Sequence, residues 1–308
     1  MSNPQNSFSV TMLGTASAMP VVDRSQSAQA LSVHGRLFLV DCGEGTQYRM
    51  VRCRLPLQRV DAVFISHIHG DHVFGVPGLL STLGMTGRQA PLYIYAPVNF
   101  GPLLKFFLSY YGDGLGFEVR FVPLKMKEPE VVLETKSVEV LAFPLNHGIA
   151  TFGFLFREKE PMMNVRKEAI PRYGLTLTEI GTLKRGEDVV RADGTRIPNA
   201  EAAYKPFEPR SYAYCSDTAP FPEEARWLRG TTVIYHEATY LEELAEQGAR
   251  RHHSTTLQAA AVAREAGARK LLVGHYSSRI RDISLYEAEC RTVFPETYAV
   301  SDGDVFEI

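Results

Sequence analysis

The chain has 308 residues, 45% hydrophobic and 22% charged, with a formal charge of −2 at pH 7. That size allows one large domain or two modest ones with an ample core, and the balance excludes a chain globally charged for nucleic acid, so any basic surface is local. No apolar run approaches the roughly 18 residues of a membrane helix, which argues against a membrane partner.

The first residues, MSNPQNSFSV, lack a basic start followed by an apolar stretch, so no signal peptide is expected. Cys42, Cys53, Cys215 and Cys290 form no Cys-x-x-Cys pair. They fit a reduced compartment, and a cytoplasmic location is expected.

Strands are predicted, in chain order, at FSVTML (8–13), RLFLV (36–40), DAVFI (61–65), LYIYA (92–96), VEVLAF (138–143), TFGFLF (151–156), SYAYC (211–215), TTVIYH (231–236) and KLLVG (270–274). They are rich in Val, Ile, Phe and Tyr, and glycine or polar residues bound many of them. Helical patterns lie between some: GVPGLLSTLGM from residue 75, and TLQAAAVAREAG at 256–267. Ser254 or Thr255 can cap the second and Gly267 can end it. Strands alternating with helices argue for a layered α/β domain.

Residues 158–210 break the rhythm, being polar and punctuated by proline, with DGTR (193–196) reading as a tight turn. Some fifty residues with no clear core pattern exceed an ordinary loop, so the stretch reads as a disordered insertion or a protruding arm. Between 162 and 186, Arg166, Lys167, Arg172, Lys184 and Arg185 outnumber Glu168 and Glu179, a modest basic bias. A solvated surface excursion accounts for that bias equally well.

FISHIHGDHVFG (64–75) places His67, His69, Asp71 and His72 in six residues. Burying three imidazoles and a carboxylate without ions is costly, so the cluster points to a metal site. Alternate residues of an extended segment point the same way, so His67 and His69 can hold one ion. Past Gly70 the chain can turn to present Asp71 and His72 as a second pair. His147 follows VEVLAFPLN, Asp217 follows SYAYCS, His236 and Glu237 follow TTVIY, and His275 follows KLLVG. Each lies just beyond a strand's C-terminal end, where α/β sheets place their sites.

One ion is accordingly expected on His67, His69, His147 and Asp217, and a second on Asp71, His72, Asp217 and His275. Two ions about 3.5–4 Å apart can hold a hydroxide between them. Asp217 also reads as a helix cap ahead of DTAPFPEEARWL. His34 and His252 stay unassigned, and Cys215 reads as a packed strand residue. His253 precedes a helix whose N-terminal dipole disfavours its protonated form, and a carboxylate partner would restore its ability to donate a proton.

With His67-x-His69-x-Asp71-His72 followed by isolated His, Asp and His residues, the chain resembles the metallo-β-lactamase superfamily. That resemblance implies an α/β fold, a four-layer αββα sandwich of two similar halves. LGTASAMP (13–20), DCGEGTQ (41–47), SHIHGDHVFGVPGLL (66–80), CSDT (215–218), HEATY (236–240), HHSTT (252–256) and GHYSSR (274–279) occur in the order seen in ribonuclease Z, the zinc endonucleases that trim the 3′ end of precursor tRNA. The likeness runs from about Phe8 to the C-terminus.

It implies one domain over 1–308 carrying an inserted exosite arm at 158–210, and a short form that works as a homodimer on precursor tRNA. It implies two zinc ions per subunit on the residues above, with Asp71 also accepting the proton of the attacking water. Glu237 would orient His253, which would protonate the departing 3′ oxygen and leave the 5′ phosphate on the trailer. Glycines of DCGEGTQ would serve tight turns under the metals, and Lys184, Arg185 and Gly186 of the arm would contact phosphate. Two stretches depart from the family's usual pattern: PVVDRS has Ser25 after Arg24 where asparagine is usual, and the arm has Pro171 and Gly174 in place of a glycine–proline tip.

The rival readings are a metal-dependent phosphodiesterase or lactonase of the same fold acting on a small molecule, a di-iron redox protein, and a non-catalytic tRNA-binding protein. The first needs no basic arm. The second usually carries a glutamate in the cluster and a fused flavin domain, and the third would have lost ligands.

Overall fold

Apolar runs become strands, and the strands sort into two seven-stranded sheets. The computed structural model describes residues 7–308; the stretch read for a signal peptide lies largely outside the described residues. The chain divides into two compact units, the larger built from residues up to 134, 139–156 and 211–308, the smaller from 135–138 and 157–210. Among the described residues, no helix is long and apolar enough to cross a membrane.

In the larger unit the chain first lays down β1 (Phe8–Gly14), β2 (Ala28–Val33), β3 (Arg36–Val40), β4 (Val60–Phe64), β5 (Leu92–Pro97) and β6 (Val119–Leu124). It then forms β7 (Glu130–Glu134), β8 (Val138–Pro144) and β9 (Phe152–Glu158). The smaller unit contributes four two-residue strands, β10 (Asn164–Val165), β11 (Val189–Val190), β12 (Arg196–Ile197) and β13 (Ala203–Tyr204). The chain finishes with β14 (Ser211–Cys215), β15 (Val233–Glu237), β16 (Lys270–Gly274), β17 (Thr297–Ala299) and β18 (Val305–Glu307).

The first sheet runs β18-β1-β2-β3-β4-β5-β6 and the second β17-β16-β15-β14-β9-β8-β7. Strands β3 to β6 are mutually parallel, as are β14 to β17. Every residue of β14 and β15 is buried, as parallel strands covered on both faces require. All nine predicted strands form, with ends shifted by a residue or two.

Strands β2, β6, β7, β17 and β18 escape the apolar pattern. Strand β2, AQALSV, carries Gln29, Ala28 and Ala30 in the core, and Gln29 is satisfied there by the Tyr212 hydroxyl. Edge strand β7, EVVLE, has no fully buried residue.

The sheets meet through aromatics. The ring of Phe64 lies 5.3 Å from Phe154, and Phe38 lies 5.7 Å from Phe156, between centroids. On the outer face of the first sheet, helices Gly75–Met85 and Phe100–Tyr111 bury Leu79, Leu80, Leu83, Phe100 and Leu104 against Val63 and Ile94. On the outer face of the second, helices Thr256–Ala266 and Ser284–Arg291 bury Ala259, Ala263 and Tyr286 against Ile234 and Leu271. The result is four layers: helix, sheet, sheet, helix. Helix Thr256–Ala266 opens with a reciprocal capping box between Thr255 and Gln258 and ends at Gly267, whose φ of +67° suits a residue without Cβ.

The smaller unit has a core that its sequence pattern conceals. Ala169, Leu183, Val189, Ile197, Ala202 and Ala203 pack together, held by helices Ala169–Tyr173 and Leu177–Lys184 and by the paired β10–β13 and β11–β12. Each element is two to eight residues long and gives one or two side chains, too few for a readable period. The DGTR turn closes β11 onto β12, with Gly194 at φ +87°. Near its two chain ends, the Arg210 guanidinium grips Glu158 at 2.6 and 3.0 Å.

Candidate metal centre

After β4 the backbone stays extended through His69, then turns at Gly70 into the short helix Gly70–Val73. Alternation therefore sets His67 and His69 side by side, Nε2 to Nδ1 at 3.0 Å. The helical turn then presents Asp71 beside His72, with Oδ2 3.4 Å from Nε2. The loop after β8 brings His147 Nε2 to 3.4 Å from His69 Nδ1. Beyond β16, His275 Nε2 reaches to 3.6 Å from Asp71 Oδ2.

Asp217, beyond β14, faces both groups. Its Oδ2 lies 3.5 Å from His67 Nε2 and 4.0 Å from His147 Nε2, while Oδ1 lies 3.5 Å from His72 Nε2 and 3.2 Å from His275 Nε2. Ligand atoms of His67, His69, His147 and Asp217 thus form one cluster, and those of Asp71, His72 and His275 an adjoining one. Asp217 does not cap the helix that follows: Glu224–Trp227 has Glu223 at its N-cap.

Four of the five histidines have their outward nitrogen occupied. The Nδ1 of His67 sits 2.9 Å from Ser66 Oγ, that of His72 2.7 Å from Asp41 Oδ2, that of His147 2.9 Å from the His252 carbonyl, and that of His275 2.8 Å from Thr239 Oγ1. An Nδ1–H committed to an outer acceptor leaves the Nε2 lone pair directed inward, as metal-binding histidines require. Yet His72 Nε2, His275 Nε2 and Asp217 Oδ1 are buried with no hydrogen-bond partner. Such orphaned acceptors are costly, and divalent cations satisfy them. The donor set, imidazole nitrogen and carboxylate oxygen, fits that class of ion.

The charges agree. Burial pulls His67 well below an ordinary imidazole, and neighbouring His72 pulls further. Burial also pulls on His72, but Asp71, Asp217 and Asp41 outweigh it and raise this ring well above the usual value. Burial drives Asp71 upward, but His72 and then His275 hold its carboxyl below the carboxylate range; Asp217 is held down likewise by His275, His72 and His67.

Beside the clusters stand Glu237 and His253. Glu237 Oε1 accepts from His253 Nδ1 at 2.8 Å, from Thr218 N at 3.0 Å and from Ser254 N at 3.1 Å. Its Oε2 accepts from Thr239 N at 2.9 Å and Thr239 Oγ1 at 2.7 Å. The carboxylate is thus fully engaged and fully buried. Burial and the nearby helix N-terminus both disfavour a charged His253, but Glu237 and then Asp217 outweigh burial and raise it to about 9. His236 plays no part here: it is buried and hydrogen-bonded to Glu224 at 3.1 Å. Cys215 is buried in β14, its thiol pushed well up by burial and then by Glu224.

These groups open onto a cleft of about 460 Å³ lined by Asp71, Asp217, Thr239, His253, His275, Arg251 and Arg279 among others. Beneath it DCGEGTQ does two things. Gly45 takes φ +78° in a turn, whereas Gly43 serves close approach: a Cβ there would lie 2.5 Å from the Asp71 carbonyl oxygen.

Sequence reasoning passed over Asp41, Ser66 and Thr239. Asp41, fully buried at φ +55°, accepts from Ser66 N at 2.7 Å, Ser66 Oγ at 2.8 Å and Tyr214 OH at 2.6 Å besides holding His72. Its position just beyond β3 was the available signal, the same one that marks the ligands. In the smaller unit Lys184, Arg185 and Gly186 are exposed at the end of helix Leu177–Lys184. Arg185 pairs with Glu187 at 3.3 Å, and Lys184 lines a groove with Arg166, Lys167 and Tyr204.

Comparison with known proteins places this geometry. Residues 8–154 match the family described as Anti-Pycsar protein Apyc1. A ribonuclease Z of Parabacteroides distasonis is 38% identical over 96% of this chain and 97% of its own. The chain belongs to the ribonuclease Z family of endoribonucleases. The structure of the human tRNase Z short form superposes with a TM-score of 0.69 at 24% identity, covering 97% of this chain and 98% of that one. The metallo-β-lactamase fold protein YhfI of Bacillus subtilis gives a TM-score of 0.70 at 18% identity, over 98% and 100%. The four layers are therefore the metallo-β-lactamase fold of this family, as the motif order implied. The two donor clusters agree with the metal dependence that fold implies.

Proposed function

We propose that the protein is a zinc-dependent endoribonuclease that removes the 3′ trailer from precursor tRNA, leaving a 3′-hydroxyl on the tRNA and a 5′-phosphate on the trailer. The observation that carries this reading is His253, held by the buried Glu237 and lining the same cleft as Asp71, Asp217 and His275 of the donor clusters. A small-molecule ester with an acidic leaving group needs no such acid, whereas a ribose 3′-oxygen leaves poorly unless protonated. The names of the ribonuclease Z relatives and of human tRNase Z support the substrate.

In this reading His67, His69, His147 and Asp217 hold one zinc, and Asp71, His72, Asp217 and His275 hold the other. The chemistry such ions supply is Lewis acidity, which polarises a phosphoryl oxygen and acidifies the attacking water. Asp71, whose Oδ2 stands beside the Nε2 atoms of His72 and His275, would accept a proton from that water. As the water oxygen bonds to phosphorus, the bond from phosphorus to the 3′ oxygen breaks. His253, its Nδ1 tied to Glu237, delivers a proton to that oxygen from Nε2. Arg251 and Arg279, among the cleft-lining residues, offer guanidinium groups to the flanking phosphates.

We assign the unit containing residues 157–210 as the exosite arm of a single catalytic domain. Lys184 contacts tRNA phosphate together with Arg166 and Lys167 of the same groove, whereas Arg185 is partly spent on Glu187. The protein works as a homodimer; Leu103, Phe106, Tyr110 and Tyr111, exposed on one helix, supply apolar surface for such contact. Four free cysteines support a reducing, cytoplasmic setting.

The test is incubation of the zinc-loaded protein with a 3′-extended precursor tRNA and a linear control RNA. Cleavage after the discriminator nucleotide of the precursor alone is expected. Equal cleavage of both, or of neither, refutes the reading.

A further inference from the structure

Thr239 sits where two functional groups meet. It is 4% exposed and two residues beyond Glu237, just past the end of β15. Its hydroxyl donates to Glu237 Oε2 at 2.7 Å, and a hydroxyl has one proton. That proton being spent, the 2.8 Å contact with His275 Nδ1 is satisfied only if the imidazole donates and Thr239 accepts. His275 is thereby fixed with its proton on Nδ1 and its lone pair on Nε2. That Nε2 is the atom found buried without a hydrogen-bond partner, 3.2 Å from Asp217 and 3.6 Å from Asp71.

The same hydroxyl lies 3.3 Å from His253 Nδ1, and the Thr239 N–H adds a second bond to Glu237 Oε2. A continuous chain therefore runs His253, Glu237, Thr239, His275, from the leaving-group side of the cleft to the second donor cluster. His275 itself has φ +61°, a left-handed backbone that a non-glycine side chain adopts only when its surroundings hold it. Thr239 supplies the hold on the ring.

We propose that Thr239 is a positioning residue, its single hydroxyl setting the tautomer and orientation of His275 for the second metal while anchoring the carboxylate that orients His253. Among the described residues no second hydrogen bond is made to His275 Nδ1, and Glu237, the nearby carboxylate, is engaged by four donors besides this hydroxyl. A threonine that merely filled space would be replaced without consequence by valine, which has nearly its shape. A threonine acting through its hydroxyl would be replaced by serine but not by valine.

The inference rests on the two-ion reading above, and its test separates the two. Zinc content and affinity are measured for the parent, Thr239→Val and Thr239→Ser, by elemental analysis and by competition with a chromophoric chelator. The parent is expected to take two ions per chain. Thr239→Val should keep one site, on His67, His69, His147 and Asp217, and bind the second ion about 10- to 100-fold more weakly, the usual loss when an outer partner of a ligand is removed. Thr239→Ser should bind both ions as the parent does.

Valine with two ions at parental affinity, or serine as impaired as valine, overturns the inference alone; a parent that takes up no ion overturns the two-ion reading with it. Should the valine variant fail to fold, long-range ¹H–¹⁵N spectra of the zinc-loaded parent decide. His275 carrying its proton on Nδ1 supports the assignment, and zinc bound through Nδ1 overturns it.

Discussion

Replacing Glu237 by glutamine keeps the shape of the side chain and removes its charge. In the parent, His253 is raised from 6.5 to about 9 against the pull of burial, with Glu237 the largest favourable contributor. That rise corresponds to about 3 kcal/mol of preference for the charged ring. Without the carboxylate, burial is opposed mainly by Asp217, and the ring should fall to its ordinary value or below. At pH 7.5 a group with pKa near 9 is about 97% protonated, and one at 6.5 about 10%.

The proton available to the leaving oxygen therefore drops about tenfold, and loss of orientation adds to this. A 10- to 100-fold fall in single-turnover cleavage of precursor tRNA at pH 7.5 is expected, within the range general acids contribute. Activity should partly recover as pH falls toward 6, where the ring recharges. NMR titration of His253 provides the independent reading. Cleavage within twofold of the parent at pH 7.5, with an unchanged pH profile, would refute the reasoning. Stability should also fall, because the amide turns one of two acceptor oxygens into a donor facing donors, at about 1–3 kcal/mol.

Asp217→Asn should reduce zinc content below two ions per chain, because the residue faces both clusters; elemental analysis reads this directly. Metal-free protein should begin to lose stability as pH falls into the ordinary carboxylate range and go on losing it below that range. Asp71 and Asp217 have depressed folded values, so their contribution is present above about pH 4 and is lost as pH falls through those values, as acid unfolding monitored by circular dichroism will show. Gly43→Ala should destabilise by about 1–3 kcal/mol in urea melts, since its Cβ would press on the backbone of Asp71. Neutralising Lys184 with Arg166 should raise KM for precursor tRNA and flatten its salt dependence, leaving kcat nearly unchanged.

The sequence alone carried the layered α/β class, nine strands, the helix over 256–266 and the residues of both donor clusters. These were legible because buried parallel strands demand continuous apolar runs, and because a ligand just past a strand end stands out as a costly polar residue after such a run. Strand β2 was not legible: its small and polar residues suit the core only because Tyr212, some 180 residues on, satisfies Gln29. The core of the smaller unit was hidden because it is assembled from elements too short to show a period.

Tertiary structure decided how the site residues are held. That Asp41 and Ser66 fix the first histidines, that Thr239 joins Glu237 to His275, and that Asp217 turns one oxygen to each cluster depend on strands distant in the chain ending at one edge. Sequence spacing reports which residues are chemically suited to a task. Hydrogen-bond direction, which determines the nitrogen each histidine offers, exists only once the sheets are stacked.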